Sequence, residues 1–198
     1  MNAATEKAMT ESLMQRLKQT TAEEHDRMEV LMQQSGAFAR QENYAQFTLS
    51  QYYFQKDVEH LYEDSKVQQL IPDLDVRGRS DAALQDLADL GVQPQQSDIA
   101  THTVSFPQSL GWIYVSEGST LGAAFLLKEA QAKFGFNAEF GARNLAAYPE
   151  GRGLVWKRFK QTLDEANFSS EDQQLIIEGA MQGFQRFGEL LAQLKTLK

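Results

Sequence analysis

His25 is the residue whose setting most invites chemistry. Helical geometry puts Met14, Leu17, Thr21, His25, Met28 and Met32 on one stripe about 100° wide, on the apolar, inward face of a helix. An imidazole there is either a satisfied core group or a metal ligand. Methionine-rich surroundings suit a large, flat, apolar ligand. Lys18 lies on the same stripe, about 10 Å back along the axis, which is the reach from a ligated iron to an anionic edge of a macrocycle. Glu29, one turn on, could accept a hydrogen bond from the ring nitrogen that does not ligate.

A second constellation is Gly118-Ser-Thr-Leu-Gly122, inside a helical stretch. Each interior glycine costs about 1 kcal/mol relative to alanine. Two glycines spaced i, i+4 leave bare backbone on one face, and something must approach it closely. That something is either another helix or a flat ligand. The segment is too polar for a membrane dimer motif. Ser116, Glu117, Ser119 and Thr120 could hold ordered water, and Tyr114 lies one turn before Gly118 on the same face.

Other candidates are plainer. Gly179, Gly183, Phe184, Phe187 and Gly188 share the last helical stretch, where aromatics at this spacing normally form core. Lys157, Arg158 and Lys160 form a basic run, read as a solvated face or as a docking patch for an acidic redox partner. There is no Glu-x-x-His pair for a carboxylate di-iron bundle. His60 and His102 lack partners at metal-ligand spacing. No phosphate loop, Gly-x-Ser-x-Gly or dinucleotide fingerprint occurs.

The elements that must position these residues are helical. The 198 residues suit a single domain spanning 1–198, and 42% are hydrophobic, enough for a full core. The absence of cysteine removes thiolate nucleophiles and sulfur-based zinc sites. A net charge of -8 argues against nucleic-acid binding. Residues Met1 to Thr10 are polar and lead into no signal-peptide core, and Leu110 to Leu127 is too polar to span a membrane, so a cytoplasmic protein is expected. The pattern predicts helices over Glu11–Gln34, stopped at Ser35-Gly36; Asn43–Tyr62; and Ser80–Leu90, with Ser80 as N-cap and Gly91 as stop. A helix opened by a Ser105/Gln108 capping box runs to Phe134, and an irregular stretch covers Asn137–Gly153. Leu154–Ala166 is amphipathic, and a Ser170/Gln173 box opens a last helix reaching Leu197. No alternating strand appears. The expected class is all-α, with about seven or eight helices.

Two stretches together resemble the haem oxygenases, specifically the bacterial iron-acquisition branch. They are Leu17-Lys-Gln-Thr-Thr-Ala-Glu-Glu-His25-Asp-Arg-Met-Glu29 and Gly111-Trp-Ile-Tyr-Val-Ser-Glu-Gly118-Ser-Thr-Leu-Gly122-Ala-Ala-Phe. The resemblance extends to the ending Gly183-Phe-Gln-Arg-Phe187-Gly188. It implies haem between a proximal helix carrying His25 as axial iron ligand and a kinked distal helix whose Gly118 and Gly122 let backbone touch the haem face. Met28 and Glu29 would flank the ligand, Ser119 would stand beside the distal face, and Phe187 would be an aromatic wall. Animal-type members place an aspartate near the distal glycines, whereas here Ser119 follows the first glycine and no aspartate occurs in the stretch.

The implied activity is oxidative cleavage of haem by O2 to biliverdin, carbon monoxide and ferrous iron, with haem both substrate and cofactor. Electrons would come from a separate ferredoxin or NAD(P)H-dependent reductase, since no flavin or nicotinamide motif is present. A monomer is expected. Lys18 and Tyr114 look like the propionate anchors of α-selective relatives, while Gln33 and Glu129 stand where δ/β-selective relatives carry lysines, which implies biliverdin IXα. A non-catalytic haem carrier or sensor of the same fold is the alternative. A thiamin-degrading enzyme of similar fold would need the cysteine that this chain lacks.

Overall fold

A computed structural model of the chain describes residues 11–194 and 196–197. The expectation about Met1 to Thr10 lies outside the described residues. Nine α-helices are present among them: α1 (Leu13–Thr20), α2 (Ala22–Ser35), α3 (Gln41–His60), α4 (Ser65–Leu70), α5 (Ser80–Asp89), α6 (Ser109–Phe134), α7 (Arg143–Ala146), α8 (Arg152–Glu165) and α9 (Ser170–Ala192). Short 3-10 turns follow α3 at Leu61–Glu63 and precede α5 at Leu74–Val76. The described residues form no strand, only isolated bridges around Asn137. The all-α class is as expected.

The predicted first helix is two helices. Thr21 leaves helical geometry at φ -94°, ψ 7°, and its hydroxyl donates to the Leu17 carbonyl at 2.8 Å. This back-bonding by a short polar side chain competes with the helix ladder. Ser12 opens α1 with a capping box to Gln15, and Gly36 ends α2 in the left-handed conformation at φ 62°.

Other ends shift for identifiable reasons. Ser80 is the first residue of α5 rather than its cap. The Glu59 carboxylate on α3 does the capping, accepting from the Arg79 and Ser80 amides, both at 2.6 Å, and from the Ser80 hydroxyl. Ser105 does not cap α6, whose N-cap is Gln108 with no side-chain bond. The last capping pair sits one residue earlier than predicted: Ser169 accepts from the Asp172 amide at 3.1 Å. That helix stops at Ala192 rather than Leu197. The irregular stretch before α8 contains α7, whose first amides are accepted by Asp86 of α5, at 2.9 Å from both Arg143 N and Asn144 N.

α6 is the central element. Leu110, Gly111, Trp112, Ile113, Tyr114, Val115, Ser116 and Glu117 are all buried in succession, as expected of a helix surrounded by others. Its main partner is α9, which also packs on α2 and α3, while α3 packs on α5. The predicted face of α3, formed by Tyr44, Phe47, Phe54, Val58 and Leu61, is buried throughout. The α6–α9 seam is closed by glycine. A β-carbon on Gly111 would lie 2.0 Å from the Ile176 carbonyl oxygen, and one on Gly179 would lie 2.0 Å from that of Gln108. α8 lies against α6 and α1, leaving an open groove bounded by α1, α2, α6, α8 and α9. Among the described residues, no helix is long and apolar enough to cross a membrane.

Candidate functional site

The groove has a cavity volume of about 480 Å³, within the range of small-molecule sites. α1 contributes Met14, Gln15 and Lys18, with Ser12 at its cap; α2 contributes His25 alone. α6 lines it with Tyr114, Val115, Gly118 and Leu121, α9 with Phe184. α8 supplies Trp156, Lys160 and Asp164, at i, i+4 and i+8 on one face.

His25 is exposed along the groove and enclosed by protein on its other side. It therefore is not a core histidine. Its ring meets Phe184 edge-on, with centroids 4.8 Å apart and planes at 67°. Burial lowers its pKa, against the opposing pull of Glu29 and Asp26. The imidazole is thus held toward its neutral form, the form that ligates metals.

Lys18 and Tyr114 line the groove as the spacing implied. Burial raises the Tyr114 pKa, and the Thr21 side chain at the α1–α2 break opposes the shift. Its ring packs on Trp156, with centroids 5.6 Å apart.

Several predicted residues are elsewhere. Met28 is buried in the core beside Gly188 of α9 and does not line the groove. Glu29 is exposed and acts on His25 through charge; among the described residues no hydrogen bond joins them. Phe187 is half-buried against Phe54, at 5.2 Å between centroids, so the aromatic wall of the groove is Phe184 instead. The two differ by three positions on one helix, a separation that period alone does not resolve.

The glycines divide likewise. Gly118 lines the groove, and a β-carbon there would meet only the Trp156 ring, at 3.6 Å. Gly122 is exposed with nothing within 4 Å of such an atom. Neither is pressed against the backbone of another helix, so close backbone packing does not account for this pair. α6 is helical without interruption through both. Their face continues past Leu121 to Phe125, which is 73% exposed. Ser119 does not line the groove. Its hydroxyl donates to the Ser116 carbonyl at 2.6 Å, as Thr120 does to Glu117 at 2.7 Å and Ser116 to Gln55 Oε1 at 3.3 Å. The hydroxyl protons expected to hold water are thus committed within the protein.

Behind the glycine turn lies a buried ionic network. Glu117, fully buried, accepts from Arg77 Nη1 and from the Tyr148 hydroxyl, both at 2.7 Å. Burial pushes the Glu117 carboxyl up, while Arg77 and Arg79 oppose the shift. Arg79 donates to the Ser116 carbonyl at 2.9 Å, and Arg152 donates to the Thr120 carbonyl and to two carbonyls of the α7 segment. Two arginines thus hold the backbone on either side of Gly118.

The basic run does not survive as one patch. Arg158 is paired with Asp73 and Glu150, each at 2.7 Å. Lys160 turns into the groove, its ammonium 5.9 Å from the Trp156 ring centroid. Trp156, Lys160, Asp164, Leu121 and Phe184 were not singled out for the site. The i, i+4, i+8 spacing of the α8 residues was the available signal.

Residues 11–193 match the family model described as haem oxygenase. The chain is 44% identical over 179 residues to haem oxygenase PigA of Pseudomonas aeruginosa, covering 89% of this chain and 90% of that protein. The NO- and CO-bound haem oxygenase of Neisseria meningitidis superposes with a TM-score of 0.87 at 38% identity, over 94% of each chain. The Leptospira interrogans haem oxygenase shares the fold, with a TM-score of 0.75 at 19% identity over 92% of this chain and 100% of the other. By sequence and by fold, this chain belongs to the haem oxygenase family.

Proposed function

We propose that the groove takes haem through His25 as the iron ligand, and that the chain opens the ring oxidatively to biliverdin, carbon monoxide and ferrous iron, releasing the iron. The observation that carries this reading is the imidazole itself: the groove's only histidine among the described residues, exposed to it and kept toward its neutral form by burial. The remaining residues fit the group. Val115, Leu121, Phe184 and Trp156 offer apolar surface to a flat macrocycle, and Lys18 and Lys160 suit anionic substituents.

When bound, haem supplies the iron that activates O2 and the ring that is cut. The protein's own part is positional. His25 fixes the ligand's height against α2, and a neutral histidine, unlike a thiolate, does not push toward O–O cleavage. Gly118 lets the ligand approach the α6 backbone. The bonds from Arg79 and Arg152 keep that backbone from shifting as the ligand presses on it. Lys18, with Tyr114, sets the in-plane rotation, and the product expected from that seating is biliverdin IXα. Electrons come from a separate ferredoxin or NAD(P)H-dependent reductase.

The test is to add haemin, then a reducing system under air, and to analyse pigment by chromatography and gas for carbon monoxide. Biliverdin and carbon monoxide are expected. A stable ferrous complex with no ring opening would replace this reading with that of a haem carrier or sensor.

A further inference from the structure

We propose that Asp164 of α8 is a positioning residue that fixes where α1 stands across the groove, and with it the seating of the substrate. The proposal rests on the haem reading above.

α1 carries Met14, Gln15 and Lys18 into the groove, with Ser12 at its cap. It is poorly equipped to hold itself in place. It has eight residues, below the roughly 12–15 at which an isolated helix becomes stable in water. At its far end the chain leaves helical geometry at Thr21, and no side chain caps the start of α2 there. The position of α1 therefore comes from what it touches. Leu13, Met14 and Leu17 are buried, but apolar contact is non-directional and leaves a short helix free to slide and turn.

Direction comes from side-chain bonds. Asp164 Oδ1 accepts from the Met14 amide at 3.0 Å, joining residues 150 apart in the chain. Arg16 of α1 donates to Gln173 of α9. The first bond belongs to the groove, since Asp164 and Met14 both line it, whereas Arg16 and Gln173 do not. The Met14 amide is a first-turn donor with no partner inside its own helix, and the helix dipole favours a carboxylate at that end. Ser12 already serves the Gln15 amide, so Asp164 supplies a cap that the local sequence does not.

The place of this bond gives it leverage on the ligand. Met14 and Lys18 are four residues apart, on one face of α1 and about 6 Å along its axis. Asp164 thus pins α1 one turn from the lysine that faces the groove. It ties α1 to the α8 face that also carries Trp156, whose ring meets Tyr114 of α6 at 5.6 Å. Three walls of the groove are held in one register, and a ligand fixed at His25 meets them in one orientation.

The test uses the full chain as wild type, Asp164→Asn, Asp164→Ala and Gln173→Ala, each loaded with haemin. Proton NMR of the ferric haem methyl groups counts the seatings, transfer of haem to apomyoglobin gives the release rate, and melts without haem monitor folding. Asp164→Ala should add methyl patterns absent from wild type. It should also release haem about two- to tenfold faster, the range of one side-chain hydrogen bond. Asp164→Asn keeps an acceptor oxygen and should match wild type in both. Gln173→Ala loosens α1 on the side away from the groove and should keep the wild-type pattern. Wild-type seating and release in Asp164→Ala would overturn the proposal, whatever its melting temperature. An asparagine variant that behaved like alanine would also overturn it, by showing that the charge matters and the bond does not. So would equal disturbance in Gln173→Ala, which would make any loosening of α1 sufficient. Failure of wild type itself to bind haemin would instead remove the haem reading, and this inference with it.

Discussion

Gly111 and Gly179 meet across the α6–α9 seam so closely that a β-carbon on Gly111 would lie 2.7 Å from the carbonyl carbon of Gly179. The neighbouring atoms are backbone, so no side chain can swing aside. Gly118 and Gly122, seven and eleven residues further along the same helix, face no backbone at all. One helix thus carries two kinds of glycine, one pressed against the backbone of a neighbouring helix and one that is not.

That contrast predicts opposite behaviour. Gly111→Ala or Gly179→Ala should destabilise the protein by about 1–3 kcal/mol or more through overpacking. Gly118→Leu and Gly122→Leu should leave melting in the absence of haem unchanged or slightly raised, since leucine is the better helix former. Haem turnover should instead suffer in both. Thermal melts and pigment assays on the four variants check this. A large loss of thermal stability in Gly118→Leu or Gly122→Leu, with normal activity in what folds, would return those glycines to a packing role.

His25→Ala should lose the Soret and charge-transfer bands of a histidine-ligated ferric haem. Haem should still enter, because most of the groove's contact with it is dispersive. Turnover should fall sharply, with partial recovery on adding imidazole. A variant that kept both the spectrum and the rate would show that the iron is held elsewhere.

How much of this was legible in the sequence follows from the range of the forces involved. The α3 face and the glycine stop at Gly36 depend on periodicity or on local backbone preference. They read directly. The break at Thr21 carries no proline or glycine to announce it. It depends on one hydroxyl turning back to Leu17. The cap of α5 comes from Glu59, 21 residues away in sequence from Ser80, and no local pattern encodes it. In the site, His25, Lys18, Tyr114 and Gly118 were readable as motif or resemblance. Phe184 was confused with Phe187 because both lie on one side of α9. Lys160 was hidden in a run of like charges, from which the fold turns it into the groove while pairing Arg158 with carboxylates.

Acid stability should report on Asp73. Burial pushes its carboxyl up, but hydrogen bonds from Arg77 and Arg158 outweigh burial and set it below the unfolded value of 3.8. A folded pKa below the unfolded one stabilises the protein above pH 3.8, and that contribution is lost as pH falls through the lower, folded value. Asp73→Asn should remove this step. It should also cost about 1–2 kcal/mol at neutral pH, a charge-assisted pair discounted for partial exposure. The quantity to measure is the difference in urea stability between variant and wild type as a function of pH. Asp57, Asp86 and Glu117 are pushed upward by burial and contribute with the opposite sign, so the wild-type profile alone does not isolate Asp73. A difference that stayed constant from neutral pH to below pH 3 would sink the assignment.

The seating of haem should decide which isomer is made. An oxidant held in a fixed direction attacks whichever meso carbon lies beneath it, so the in-plane rotation of the ring chooses the product. Rotation is set by what grips the propionates through charge-assisted bonds. Lys18 stands at the groove. By the family resemblance, the alternative seating would draw on cations at positions 33 and 129, where this chain has Gln33 and Glu129. The first is an exposed neutral amide, and the second is a carboxylate paired with Lys133 at 2.8 Å. Biliverdin IXα should therefore dominate when the wild-type pigment is resolved by chromatography. Combining Lys18→Asn with Tyr114→Phe should spread the product over several isomers, because it removes one cation and alters the wall against which Trp156 rests. Wild-type pigment dominated by the δ or β isomer would reject this seating while leaving ring opening itself intact.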